Sequence, residues 1–236
     1  MIKLLAFDLD GTLTQHRSKL EEKNRSVLYR LSQKYKLVMM GAGACMRIYG
    51  QMREFPIDII GNYGMQESKM IDGAPQVLRS DFYTVDKDFF EKGMNILRER
   101  YGYTEYKGEN VEFHATGMVT LPILGTKADV KDKVAFDPDR KKRTVMYPFV
   151  TEYFKDYTVF IGGSSSFDIV SKKYNKYNAL KRYCEENGYD INSEVCYFGD
   201  DFGVGGNDEQ IKQGGVKHVF VDDYRNFEEK AKFLFD

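Results

Sequence analysis

The acidic residues of two short stretches carry the chemistry this chain can do. Asp8 and Asp10 stand two apart in Asp8-Leu9-Asp10-Gly11-Thr12, directly after the apolar run Leu4-Leu5-Ala6-Phe7. Side chains two apart in an extended chain point the same way, so both carboxylates can converge on one site. A second apolar run, Val195-Cys196-Tyr197-Phe198, delivers Gly199 and Asp200, with Asp208 following in Gly205-Gly206-Asn207-Asp208. Carboxylates crowded at the ends of buried strands repel one another, and a divalent cation relieves the repulsion. Mg²⁺ suits oxygen ligands and phosphate substrates. The expected metal donors are Asp8, Asp10, Asp200 and Asp208, although Asp208 reads equally well as the N-cap of the helix after it.

A cation and an anion cradle accompany them. Lys172, Lys173 and Lys176 lie just before a helical stretch, and spacing alone does not choose which would offset phosphoryl charge. Gly41-Ala42-Gly43 follows the apolar stretch Leu37–Met40, where main-chain N–H groups can hold an anion.

The elements that must position these residues alternate. After the first strand, Ser18 and Glu21 have the spacing of a capping box, opening a helix that carries Leu20, Val27, Leu28 and Leu31. Leu37–Met40 and Ile57–Gly61 read as strands around a short helix over Met46–Glu54. A hairpin turns at Asp72-Gly73. Helical stripes at Phe89, Phe90, Met94 and Leu97, and at Met146, Phe149, Val150, Tyr153 and Phe154, are interleaved with strands near residues 111–113, 118–123, 158–161 and 167–170. Alternation resumes with a helix over Asn178–Glu186, the Val195–Phe198 strand and a strand at His218–Val221. This pattern predicts an α/β fold, a Rossmann-like parallel-sheet core over residues 1–80 and 171–236 with an α+β insert over 81–170.

Composition narrows the class. The 236 residues carry 35 basic and 36 acidic side chains, so no net field recruits nucleic acid or an anionic membrane. Hydrophobic residues make up 42%, which fits a folded chain with a sizeable core. No apolar stretch approaches the roughly 18 residues of a membrane span, and no charged leader with a cleavage site opens the chain. A cytoplasmic protein is expected. Cys45, Cys184 and Cys196 are odd in number and lack paired spacing, which predicts reduced, buried thiols.

At Asp8-Leu9-Asp10-Gly11-Thr12 the chain resembles the haloacid dehalogenase superfamily of aspartyl phosphotransferases. The resemblance implies that Asp8 attacks phosphorus, Asp10 serves as acid and base, Lys176 offsets phosphoryl charge, and Asp200 completes a Mg²⁺ shell. Within that superfamily it is most similar to eukaryotic-type phosphomannomutases, over nearly the whole length. The shared stretches are Asp8–Thr14 with Arg17, Glu112-Phe113 with Gly117-Met118, Ile161-Gly162-Gly163 through Ser166-Phe167-Asp168, and Phe198–Asp200 with Gly205–Asp208. By that resemblance Arg17, Ser166 and Asp168 hold a phosphosugar, Gly41, Ala42 and Asn207 contact phosphate or substrate, and the insert is a cap through which the chain pairs as a homodimer.

The departures set the expected reaction. Many members carry Ser or Thr where Gly41 stands, so main chain alone would hold phosphate. Where the cap presents arginines to a second phosphate, this chain has His114, Thr126 and Lys133, and only Lys133 keeps a full-time cation. Losing a charge-assisted contact costs roughly 1.5–3 kcal/mol. A mutase must hold a bisphosphate while it reorients, whereas a phosphatase need not. The expected activity is Mg²⁺-dependent hydrolysis of a phosphorylated sugar. The alternative is a phosphohexose mutase of phosphomannomutase type. A catalytically silent sugar-phosphate binder is the third reading, against which the intact Asp8, Asp10, Lys176 and Asp200 set argues.

Overall fold

The computed structural model describes residues 1–235. In chain order its first elements are β1 (Leu4–Phe7), α1 (Glu22–Ser32), β2 (Lys36–Met40), α2 (Cys45–Gln51), β3 (Asp58–Gly61), β4 (Gln66–Ile71) and β5 (Ala74–Ser80). Then come α3 (Lys87–Tyr101), β6 (Glu112–Phe113), β7 (Val119–Pro122), α4 (Val130–Phe136), α5 (Lys141–Tyr153), β8 (Tyr157–Gly162) and β9 (Ser166–Ser171). The last are α6 (Lys176–Asn187), β10 (Val195–Gly199), α7 (Glu209–Gln213), β11 (His218–Phe220) and α8 (Phe227–Lys230). They form two compact units. One comprises Met1–Asp81, Tyr174–Gly203 and the chain from Asp208 onward, and the other Phe82–Lys173 with Val204–Asn207.

The first unit is a seven-stranded sheet in the order β11-β10-β1-β2-β3-β4-β5. Strands β11 to β3 run parallel, and the β4–β5 hairpin extends the sheet antiparallel. The hairpin turns at Asp72 and Gly73, both at positive φ (51° and 78°), as the Asp-Gly pair predicts. β1 sits between β10 and β2, with Phe7 opposite both Phe198 and Met39. It is buried at every position because each face meets helices. Leu5, Phe7, Cys196 and Phe198 pack with Leu28, Leu31 and Phe227, while Leu4, Ala6, Val38 and Tyr197 pack with Leu180, Tyr183 and Ile211. The register matters most for function. It ends β1 and β10 side by side, and the Asp8 N–H donates to the Phe198 carbonyl at 2.8 Å.

The second unit is a four-stranded antiparallel sheet, β6-β7-β9-β8, whose apolar face packs against α3 and α5 through Phe90, Met94, Met146, Val150 and Phe154. Two enclosed arginines organise its loops. Arg98 donates to the carbonyls of Tyr103, Pro122 and Ile123. Arg143 pairs with Asp137 and donates to the carbonyls of Gly162, Gly163 and Ser166.

Some expectations fail locally. No capping box opens α1: Ser18 Oγ donates to the Gln15 carbonyl, and Glu21 accepts from the Tyr224 hydroxyl. α6 starts at Lys176 because Asn175 is its N-cap, accepting from the Asn178 N–H. The short helix α4 went unread because Val130 and Val134 are exposed, so its pattern has no clear apolar stripe. The three cysteines are buried free thiols. No helix among the described residues is long and apolar enough to cross a membrane.

Candidate active site

Asp8 leaves the end of β1 buried, and Lys176, at the first turn of α6, reaches it. The Lys176 ammonium lies 2.5 Å from Asp8 Oδ1 and 2.7 Å from Asp208 Oδ1. The Tyr197 hydroxyl donates to the same Asp208 oxygen at 2.5 Å, and the Asp201 N–H donates to Asp208 Oδ2 at 3.1 Å. Asp208 occupies the N-cap position of α7 by backbone, but its side chain caps nothing there. It is 0% exposed and turned inward. Across the rim, Thr12 Oγ1 donates to Asp200 Oδ1 at 2.9 Å. Gly11 has φ +104°, and a Cβ there would lie 2.3 Å from Asp200 Oδ2. Only glycine permits that turn and that approach.

Asp10 points elsewhere. Its Oδ1 accepts the Arg17 N–H and the Gln51 side-chain amide, each at 2.7 Å. Arg17 contributes this contact from a backbone at φ 59°, and its guanidinium is exposed. Gly41 departs from its expected role, since its N–H is spent on the Ile60 carbonyl within the sheet. In the turn after β2, the N–H groups of Ala42, Gly43 and Ala44 have no acceptor among the described residues. Of the Gly41-Ala42-Gly43 amides expected to hold an anion, only that of Gly41 is taken up by the sheet.

The electrostatics follow from burial. Burial pushes the Asp8 carboxyl well above its usual range; Lys176 pulls it back only in part, and the charges of Asp208 and Asp200 push it up further. Asp200 is raised to about 6 by burial and by Asp208, against the Thr12 hydrogen bond. Burial alone would lower Lys176, but Asp208 and Asp8 outweigh it and raise the ammonium above its ordinary value. One lysine thus stands against three carboxylates. The four-carboxylate donor set expected from sequence does not form, and no metal-holding group of three or more His, Cys, Asp or Glu occurs among the described residues. Asp208 is committed to three donors and Asp10 is turned to Arg17 and Gln51. Asp8 and Asp200 remain as the side-chain donors, and with Asp208 sharing the one lysine the group is two positive charges short. Two carboxylates completed by water and phosphate fit Mg²⁺, which keeps several waters and uses one or two protein carboxylates.

Thr12, Gln51 and Tyr197 are the residues sequence reasoning did not single out. Thr12 lies within the Asp-Gly-Thr run and could have been read from it. Gln51 is a polar residue on a short helix, and Tyr197 looks like a core aromatic on a strand. Neither has a sequence signal.

In the second unit, Asp168 Oδ1 accepts from Thr120 Oγ1 at 2.9 Å, and His114 Nε2 lies 3.1 Å from that hydroxyl oxygen. Because the Thr120 proton goes to Asp168, Oγ1 accepts from His114. A Cβ on Gly162 would lie 2.4 Å from Asp168 Oδ2, so glycine is needed beside the carboxylate. Ser166 Oγ donates to the Gly162 carbonyl at 3.0 Å. Lys133 donates to the Thr126 carbonyl at 2.8 Å. Asn207 groups with this unit and is half-buried.

The chain is similar to known proteins in sequence and in fold. A profile of the eukaryotic phosphomannomutase family matches residues 102–221. The phosphomannomutase of Saccharomyces cerevisiae is 27% identical over 219 residues, covering 88% of this chain and 84% of that protein. Phosphomannomutase 1 of Homo sapiens is 23% identical over 224 residues, covering 88% and 82%. Among solved structures, a haloacid dehalogenase-like hydrolase from B. subtilis aligns over 99% of this chain and 100% of its own, with TM-score 0.64 and 15% identity. IMP-bound IMP-nucleotidase from Plasmodium falciparum aligns over 99% and 68%, with TM-score 0.70 and 15% identity. These structures share the fold, an α/β core of haloacid dehalogenase type. The chain is a phosphotransferase of that superfamily, and it belongs to the eukaryotic phosphomannomutase family.

Proposed function

We propose that the chain relocates a phosphoryl group on a hexose phosphate through an aspartyl phosphate on Asp8, in the manner of a phosphomannomutase. The observation that carries the reading is the buried Lys176–Asp8 pair at 2.5 Å, which aligns a carboxylate and a fixed cation at the end of a rigid strand. Asp8 forms a bond to phosphorus as the bond to the sugar oxygen breaks, and Asp10 gives that oxygen a proton. A hydroxyl of the sugar then takes the phosphoryl group, returning its proton to Asp10 and freeing Asp8. Both N–H donors of Asp10 converge on Oδ1, so the transferred proton resides on Oδ2. Lys176 and the Ala42–Ala44 amides hold phosphate oxygens. Mg²⁺ held by Asp8 and Asp200 would supply further neutralisation of phosphate charge. Arg17 is the substrate contact proposed for the first unit, and Ser166, Asp168, Lys133 and Asn207 are those proposed for the second.

The mutase reading, ahead of the hydrolysis expected from sequence, is supported by relatives that carry the name phosphomannomutase. Hydrolysis stays as a second reading on one observation. The second unit has Thr126 and His114 where arginines are expected, and Lys133 is drawn to the Thr126 carbonyl, which weakens its grip on a second phosphate. The assay supplies mannose 1-phosphate with catalytic hexose 1,6-bisphosphate and counts 6-phosphate against inorganic phosphate. Isomer without phosphate release is expected; stoichiometric phosphate release selects the hydrolase. Asp8→Asn should abolish either product, by at least roughly a thousandfold (about 4 kcal/mol).

A further inference from the structure

Tyr197 meets the Lys176 site twice. It sits in β10, which is buried along its whole length, and its ring is 0% exposed. A phenol so enclosed needs a partner. It finds Asp208 Oδ1 at 2.5 Å, the oxygen that also accepts the Lys176 ammonium at 2.7 Å. The Tyr197 ring centre lies 5.9 Å from the same ammonium, within cation–π range. Gly199 leaves room for both groups: a Cβ there would lie 2.3 Å from Asp208 Oδ2 and 2.7 Å from the Tyr197 ring.

We propose that Tyr197 is a positioning residue for Lys176, acting through Asp208. One carboxylate oxygen serves two donors, so Lys176 does not hold Asp208 Oδ1 alone and its ammonium stays directed at Asp8. Without the phenol, Asp208 Oδ1 is left to Lys176 only, and the lysine is drawn towards Asp208 and away from the phosphoryl group it must neutralise. Asp208 is then an anchor and not a metal donor. The inference rests on the reading of Asp8 as the attacking group.

The test is Tyr197→Phe in the full chain, with kcat, KM, the Mg²⁺ half-saturation and the Mg²⁺-induced rise in thermal midpoint all measured. The expected result is a kcat about tenfold lower, with KM, Mg²⁺ half-saturation and the Mg²⁺-induced rise unchanged. Asp208→Asn should lower kcat with the same split, and the double variant should fall no further than Asp208→Asn alone. An unchanged kcat in Tyr197→Phe, a several-fold higher Mg²⁺ half-saturation, or losses that multiply in the double variant would each overturn the proposal. If Tyr197→Phe does not fold, Asp208→Asn carries the test by the same split between kcat and Mg²⁺ half-saturation. Turnover retained by Asp8→Asn overturns the underlying reading instead, whatever Tyr197→Phe does.

Discussion

A methyl group on Gly199 has nowhere to go. It would meet an Asp208 carboxylate oxygen and the Tyr197 ring, neither of which is the loose end of a flexible side chain. Gly199→Ala should therefore cost roughly 1–3 kcal/mol of stability by overpacking, visible as a lower denaturation midpoint. It should also lower kcat, because the atoms displaced are those that hold Lys176. Asp208 shows the same economy from the acceptor side. Three donors and complete burial explain how a carboxylate can stay beside Asp8 and Asp200. Tyr197 itself is raised well above the ordinary phenol value, by burial first and then by Asp208 and Asp8, so it remains a hydrogen-bond donor.

At the scale of elements, Arg143 at the start of α5 fastens the turn between β8 and β9 by donating to three of its carbonyls. Burial alone would raise its partner Asp137, yet the hydrogen bonds from Arg143 and Lys142 hold that carboxyl below its usual range. Arg143→Met should destabilise by roughly 3–5 kcal/mol, lowering the thermal midpoint on the order of 10 °C. Adding Asp137→Leu should not restore it, because the turn carbonyls still lack the Arg143 bonds. None of this was readable from Lys141-Lys142-Arg143, which looks like any basic helix start. What could be read was whatever local pattern controls: the apolar strands β1 and β10, the Asp72-Gly73 turn and the alternation that builds the sheet. Local pattern failed where distant partners decide. Glu21 is claimed by Tyr224 and not by a capping box, and the Gly41 N–H is claimed by Ile60 of the neighbouring strand. The acidic residues were found by type, but their division into attacking group, metal donor and lysine anchor depends on which atom faces which.

For the molecule as a whole, the surplus of buried negative charge makes a measurable demand. A cation bound by Asp8 and Asp200 in the native state alone stabilises by mass action, about 2.7 kcal/mol at a hundred times its Kd. Mg²⁺ should raise the thermal midpoint of the wild-type chain, chelation should reverse the rise, and Asp200→Asn should lose most of it. A midpoint indifferent to Mg²⁺ at millimolar concentration would refute the donor assignment. The bond from Thr12 to Asp200 spans 188 residues, and β1 has no parallel neighbour on its β10 side until residues 195–199 arrive. During synthesis, the first 81 residues leave the ribosome with a central strand open on one edge, and the intervening segment must emerge in full before that edge closes. Completion of the site thus waits for β10, so a nascent chain stalled before it has neither a finished sheet nor Lys176 and Asp200 beside Asp8.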